Sequence, residues 1–309
     1  MSDMQYAIDA RNLSKSFGNK VAVSNITIQV PKGKVYGFLG PNGSGKTTTI
    51  RMICGLLTPD SGEGTCLGHN ILLHSEQIKS QIGYMTQKFS YWEDLTIKEN
   101  LEFVAQMFSL ENKAQKVKQA IHRLGLEKRC NQLAGSLSGG WKQRLALAAC
   151  TLHDPKILLL DEPTAGVDPK ARREFWDEIH QLATKGLTVL VSTHYMDEAE
   201  RCHKIIYIAG GQLIIQGSVA EVIANTHLTT WVVKGTDLSL LQTALADHTA
   251  ISTIAPFGDS LHISGTNPER LKQAITPYLQ QSNYHWELIN PSMEDAFIHY
   301  MNNAQEREI

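Results

Sequence analysis

Nine residues, Gly40-Pro41-Asn42-Gly43-Ser44-Gly45-Lys46-Thr47-Thr48, constrain this chain more than any others. They follow the apolar run Val35–Leu39 and precede a helix-like stretch, Thr48–Cys54. Strand, glycine loop and helix in that order are the context in which a G-x-x-x-x-G-K-[ST] pattern binds nucleotide phosphates. The glycines let the backbone curl until successive N–H groups point inward at an anion. The helix adds the positive end of its dipole, and Lys46 adds a mobile point charge for the β- and γ-phosphates. Thr47 stands where a hydroxyl reaches Mg²⁺. An α/β fold built on a parallel sheet follows from that loop.

Composition narrows the class. At 309 residues the chain suits about two domains with ample core. Its net charge of −2 and isoelectric point near 6.6 give no bulk attraction to nucleic acid. The five cysteines form no C-x-x-C pair and no zinc spacing, which reads as reduced thiols used for packing. Met1–Gln5 lack a basic and apolar leader pattern, and no run approaches the roughly 20 apolar residues that span a bilayer. The expectation is a soluble protein whose work at a membrane, if any, needs a partner.

A second signal lies at Lys156–Leu160, a continuous apolar run that ends in Asp161-Glu162-Pro163. Buried parallel strands look like this, and their carboxyl ends are where α/β sheets bind ligands. Asp161 at that edge can hold Mg²⁺ directly or through water, and Glu162 can polarise an attacking water. A guanine nucleotide is disfavoured, because Asn112-Lys-Ala-Gln115 lacks the acid that an Asn-Lys-x-Asp motif requires. Between the two signals, Leu137-Ser138-Gly139-Gly140-Trp141 introduces an apolar helix, Leu145–Leu152. A Ser at a helix start with two glycines offers a hydroxyl and N–H groups to an anion. One chain then carries two phosphate sites, which makes sense if each completes a nucleotide held by another subunit.

With these motifs in this order, the sequence over residues 5 to about 225 resembles the ATP-binding subunits of ABC transporters, whose signature reads LSGGQ. The resemblance implies ATP and Mg²⁺ sandwiched head-to-tail between two cassettes. It makes Gly40 to Thr48 the phosphate loop and Gln87 the Mg²⁺-sensing glutamine. Ser138, Gly139 and Gly140 become contacts to the partner's γ-phosphate, and Asp161 the support of Mg²⁺. Glu162 becomes the general base, Asp168 the residue of the loop that crosses the dimer interface, and His194 the switch that bonds the γ-phosphate. Phe17 stands where the family stacks an aromatic on adenine. One departure is plain: Trp141 replaces the signature glutamine, while the anion-facing residues before it are retained.

The expected fold is therefore an α/β P-loop core with a β subdomain and a helical subdomain at about residues 90–150, plus a small α+β C-terminal domain. Residues 1–225 would form the cassette and 226–309 the smaller domain. Ile97–Phe108 and Val117–Leu124 have helical apolar spacing. Phe89, Tyr91 and Trp92 crowd the loop after Gln87, by the groove where family members receive a short helix of the membrane subunit. After residue 225 the pattern reads β-α-β-β-α-β, a ferredoxin-like order, with Phe257-Gly-Asp259 as a hairpin turn. Pro291–His299 resembles the PSLEDVF-type helix that ends many export cassettes.

The resemblance implies an ATPase that powers export of a drug-like molecule, lipid or polymer. It would work as a homodimer on the cytoplasmic face of the inner membrane, bound to permease subunits and to no nucleic acid. Soluble ABC ATPases that act on ribosomes or DNA usually carry two cassettes or a long coiled-coil insertion, and neither is present here. Asp161, Glu162 and His194 weigh against a non-hydrolysing sensor. Import is the nearer alternative, opposed by the C-terminal helix and the aromatic loop.

Overall fold

Three apolar runs, Val35–Leu39, Ile157–Asp161 and Thr188–Ser192, form the centre of a parallel sheet, buried along nearly their whole length as strands covered on both faces must be. The computed structural model of the chain describes residues 6–305. Residues 1–5, read above as lacking a leader pattern, and 306–309 lie outside the described residues. The chain divides into two compact units, residues 1–213 and 214–309, and residue 225 falls inside the second. No helix among the described residues is long and apolar enough to cross a membrane.

The first unit opens with β1 (Tyr6–Phe17), β2 (Lys20–Pro31), β3 (Val35–Leu39) and α1 (Lys46–Ile53). Then come β4 (Ser61–Cys66), β5 (His69–Asn70), the short α2 (Ser75–Lys79) and β6 (Ile82–Met85). Three helices follow: α3 (Ile97–Met107), α4 (Lys113–Arg123) and α5 (Gly139–Thr151). The chain returns through β7 (Ile157–Asp161), α6 (Pro169–Thr184), β8 (Thr188–Ser192), α7 (Met196–Ala199), β9 (Lys204–Ala209) and β10 (Gln212–Gly217). An antiparallel sheet has the order β2-β1-β4-β5, and the second sheet the order β10-β9-β3-β8-β7-β6. In the latter, β3, β6, β7, β8 and β9 are mutually parallel.

That order positions the site. The loops leaving the carboxyl ends of β3, β8, β7 and β6, four neighbours, carry the phosphate loop, His194, Glu162 and Gln87 respectively. One core cluster joins Phe38, Leu159 and Leu190 of the parallel sheet to Met52 and Ile53 of α1 and to Ile8 and Ile26 of the antiparallel sheet. The helix that follows the phosphate loop is thereby anchored from both sides. In the helical insertion, Thr96 and Glu99 form a reciprocal capping box that starts α3. Buried Asn100 bonds the N–H and C=O of Trp92, tying the aromatic loop to α3. The α5 residues Leu145–Thr151 are all buried, as a helix apolar on every side requires.

The second unit takes in the end of β10 and continues with α8 (Val219–Ala224), β11 (Thr229–Gly235), α9 (Leu238–Leu245), β12 (Thr253–Phe257), β13 (Ser260–Gly265), α10 (Pro268–Leu279), β14 (Tyr284–Ile289) and α11 (Met293–Gln305). Its sheet order is β12-β13-β11-β14 with every neighbouring pair antiparallel. The two β-α-β crossovers interleave, which is the ferredoxin-like plan. Val233, Leu261 and Ile263 pack there against Leu241, Leu245, Leu271 and Ile275 of the helices. Gly258 takes the left-handed conformation at the hairpin turn.

Candidate active site

The phosphate loop is shaped by close backbone approach. A Cβ on Gly40, whose φ is 143°, would meet the Ile208 carbonyl at 2.0 Å, and one on Gly45 (φ 101°) would meet the Ala22 carbonyl at 2.5 Å. Gly45 caps α1 without any side-chain hydrogen bond, so no side chain of the loop competes for the N–H groups of the first turn. Lys46 is buried and its Nζ donates to the carbonyls of Gly40 (2.7 Å) and Pro41 (2.9 Å). Burial pulls the Lys46 pKa down, and the nearby Glu162 and Asp161 carboxylates partly offset this.

Thr47 Oγ1 donates toward both oxygens of Asp161, at 3.3 and 3.5 Å. Asp161 also accepts from Ser192 Oγ and from the Tyr84 hydroxyl. Glu162 has a left-handed backbone (φ 46°), unusual for a residue with a side chain, and its N–H donates to Ser192 O and Oγ. Its carboxylate accepts from Gln87 Nε2 at 2.8 Å and lies 3.5 Å from His194 Nδ1. A cavity of about 440 Å³ gathers Phe17, Asn42, Gly43, Gly45, Lys46, Thr47, Thr48, Gln87, Asp161 and Glu162. Phe17 is 54% exposed at its edge, an apolar plate open to solvent. Ser44 is buried behind the loop.

The residues present fit Mg²⁺ brought by a nucleotide. A hydroxyl and a carboxylate within hydrogen-bond reach are hard oxygen donors, and Mg²⁺ is usually held by one or two carboxylates plus substrate phosphates. The glycine cradle, closed to any side chain at Gly40 and Gly45, fits the phosphates themselves.

Ser138, Gly139, Gly140, Asp168 and His194 do not line this cavity, although His194 reaches its Glu162. Ser138 N-caps α5 with its hydroxyl making no cap bond, and Ser138 and Gly139 are exposed. Asp168 N-caps α6, accepting from the N–H groups of Lys170 (3.1 Å) and Ala171 (2.9 Å). The signature turn and the Asp168 loop are neighbours: a Cβ on Gly140 would stand 2.8 Å from Ala171 Cβ. Trp141 lies between two guanidiniums, Arg129 at 4.7 Å and Arg144 at 5.1 Å from its ring centre. Arg144 in turn holds Glu174 of α6 at 2.6 Å. The indole is thus a cation–π packing element between α5 and its surroundings. Lys20, which lines the cavity, and Tyr84 and Ser192, which bond Asp161, carry no signal in the sequence. The last two sit inside runs that read only as buried strand.

A family model described as ABC transporter matches residues 23–165. YbhF of Escherichia coli (strain K12), a probable multidrug ABC transporter ATP-binding protein, is 43% identical over 221 residues, 71% of this chain and 38% of YbhF. The Nod factor export ATP-binding protein I of Burkholderia lata is 36% identical over 275 residues, covering 87% of this chain and 89% of its own length. The chain belongs to the ABC transporter ATP-binding family. It spans little more than a third of YbhF but nearly all of the Burkholderia protein. Among solved structures, the dimeric post-hydrolysis state of the cassette MJ0796 bound to ADP and Pi matches 68% of this chain and 98% of its own, with a TM-score of 0.62 and 26% identity. The fold is that of an ABC ATPase cassette, with an added α+β unit.

Proposed function

We propose that this cassette hydrolyses ATP to power export of a drug-like molecule, lipid or polymer through separately encoded permease subunits. It would work as a head-to-tail dimer, peripheral to the cytoplasmic face of the inner membrane. The observation that carries the reading is the convergence of Lys46, Thr47, Gln87, Asp161, Glu162 and His194 at four adjacent strand ends, while Ser138 and Asp168 lie elsewhere on the same chain. The names of its relatives, multidrug transporter and Nod factor exporter, favour export over import.

Lys46 exchanges its two loop carbonyls for phosphate oxygens, so the charge is held in place before substrate arrives. Glu162, oriented by the Gln87 amide, accepts a proton from the attacking water. His194, next to the same carboxylate, is in reach of the γ-phosphate end of the site. Thr47 and Asp161 would hold Mg²⁺ together with the nucleotide, and the bound ion would supply charge neutralisation on the phosphate oxygens. Ser138 and the N–H groups of Gly139 and Gly140 complete the partner's site. A second cavity, about 230 Å³, is lined by Tyr91, Trp92, Val104, Met107, Phe108 and His153 and suits an amphipathic helix of the permease.

Turnover measured against protein concentration, with sizing in ATP–Mg²⁺, tests the reading. Wild-type turnover is expected to rise faster than linearly in dilute protein. Glu162→Gln should bind ATP, lose most turnover and accumulate as a dimer. Near-normal turnover in that variant would remove Glu162 from the base role.

A further inference from the structure

Glu198, on α7 four residues after His194, is 1% exposed and lines no cavity of the nucleotide site. Thr164 Oγ1, also buried, donates to its Oε1. Arg172 Nε of α6 lies 3.9 Å from that same oxygen, too far for a hydrogen bond. The other oxygen, Oε2, has no hydrogen-bond partner among the described residues, and neither has Arg172 Nε. A carboxylate this deep is costly, and one left half-satisfied is a poor stabiliser compared with an apolar side chain of like volume. Its value must lie in what it holds together.

The contacts around it close a ring. Thr164 stands two residues after Glu162. Arg172 is in the first turn of α6, and its N–H donates to the carbonyl of Asp168 at 2.9 Å. Its guanidinium lies 4.5 Å from the Tyr195 ring centre and 3.3 Å from Asp197. Tyr195 lies against His194 with ring centres 4.1 Å apart, and His194 returns to Glu162 at 3.5 Å. The helix capped by Asp168, the strand exit bearing Glu162 and the loop bearing His194 therefore meet at one ion pair.

We propose that Glu198 and Arg172 are positioning residues for ATP hydrolysis, an inference that rests on the reading of the site given above. Arg172 passes the placement of the Asp168 loop to Tyr195 and His194, and Glu198 passes it through Thr164 to Glu162. Neither touches the nucleotide. Their loss misplaces the base and the switch relative to each other and leaves the phosphate cradle on α1 as it was.

The test is steady-state ATP turnover of the full chain for wild type, Glu198→Gln, Arg172→Lys and the double variant at one protein concentration. Glu198→Gln keeps the volume and an acceptor for Thr164 but removes the charge. Arg172→Lys keeps the charge but loses the planar face on Tyr195. Each single change is expected to lower kcat roughly 10- to 100-fold, the scale of a misplaced catalytic group, with KM for ATP changed less than about twofold. The double variant should be no slower than the slower single one, since the two act as a unit. If Glu198→Gln does not fold, the kcat-against-KM split of Arg172→Lys decides. Singles that keep wild-type kcat, raise KM alone, or multiply in the double variant overturn the inference while the site reading stands. A wild type without turnover overturns both.

Discussion

Gly40 shows how much of this site is decided at single residues. Its φ of 143° and the Ile208 carbonyl 2.0 Å from any Cβ leave room for hydrogen only. Gly40→Ala is expected to cost about 1–3 kcal/mol from backbone strain alone, and more from the clash. A lowered melting temperature together with weakened ATP binding would be the signature; an unchanged pair of values would mean the loop has another conformation available. Lys46 carries the opposite lesson. Its charge is held by two carbonyls of its own loop, against a burial that disfavours the charged form, so the loop keeps a cation where the reading proposed above puts the phosphates. Glu162 shares that economy: a strained backbone and a side chain held by Gln87 fix it before any substrate arrives.

At the scale of elements, the helical insertion carries a pH dependence. His153, just past α5, stacks face to face on Phe108 after α3, with ring centres 4.0 Å apart and planes 7° from parallel. Its Nε2 meets the Ile82 carbonyl, which makes that nitrogen the donor, and buried Nδ1 has no partner among the described residues. Burial holds the His153 pKa below its ordinary value. As pH falls below about 6.5 the unfolded chain takes up a proton that the folded ring refuses, so stability declines on the acid side. His203 and His299, also lowered by burial, add to the same slope. His153→Phe keeps the stack and removes one of these protons. Denaturant unfolding at pH 7 and pH 5.5 should show a smaller loss for the variant than for wild type; equal losses would assign the acid slope elsewhere.

The whole molecule raises the question of which chain supplies which half of a site. Ser138 does not line the cavity that holds Lys46, and the head-to-tail dimer proposed above would pair each with the other chain's counterpart. Lys46→Ala and Ser138→Arg should each lose turnover alone. Mixed together they should recover a measurable fraction, because one of the two composite sites in a mixed dimer is intact. Turnover that stays absent on mixing, with both variants folded and dimeric, would place the two groups in one chain's own site.

The cassette is legible from the residues alone because its motifs are local. A glycine loop, an acid pair ending an apolar run and a Ser-Gly-Gly helix start each encode their chemistry within a few residues, and their order names the fold. Alternation and turn residues made the β-α-β-β-α-β course of the last 80 or so residues legible too, about the size of a small domain. Whatever depends on sheet order and long-range contact emerged only with the folded chain. Tyr84 and Ser192 read as ordinary strand residues until β6, β7 and β8 lie side by side and turn both toward Asp161. Trp141 reads as a lost glutamine until Arg129 and Arg144 flank it. Glu198 and Arg172, 26 positions apart, carry no motif at all. Nothing local in a sequence tells a surface charge from a buried one, since burial is a property of what the rest of the chain brings to cover it.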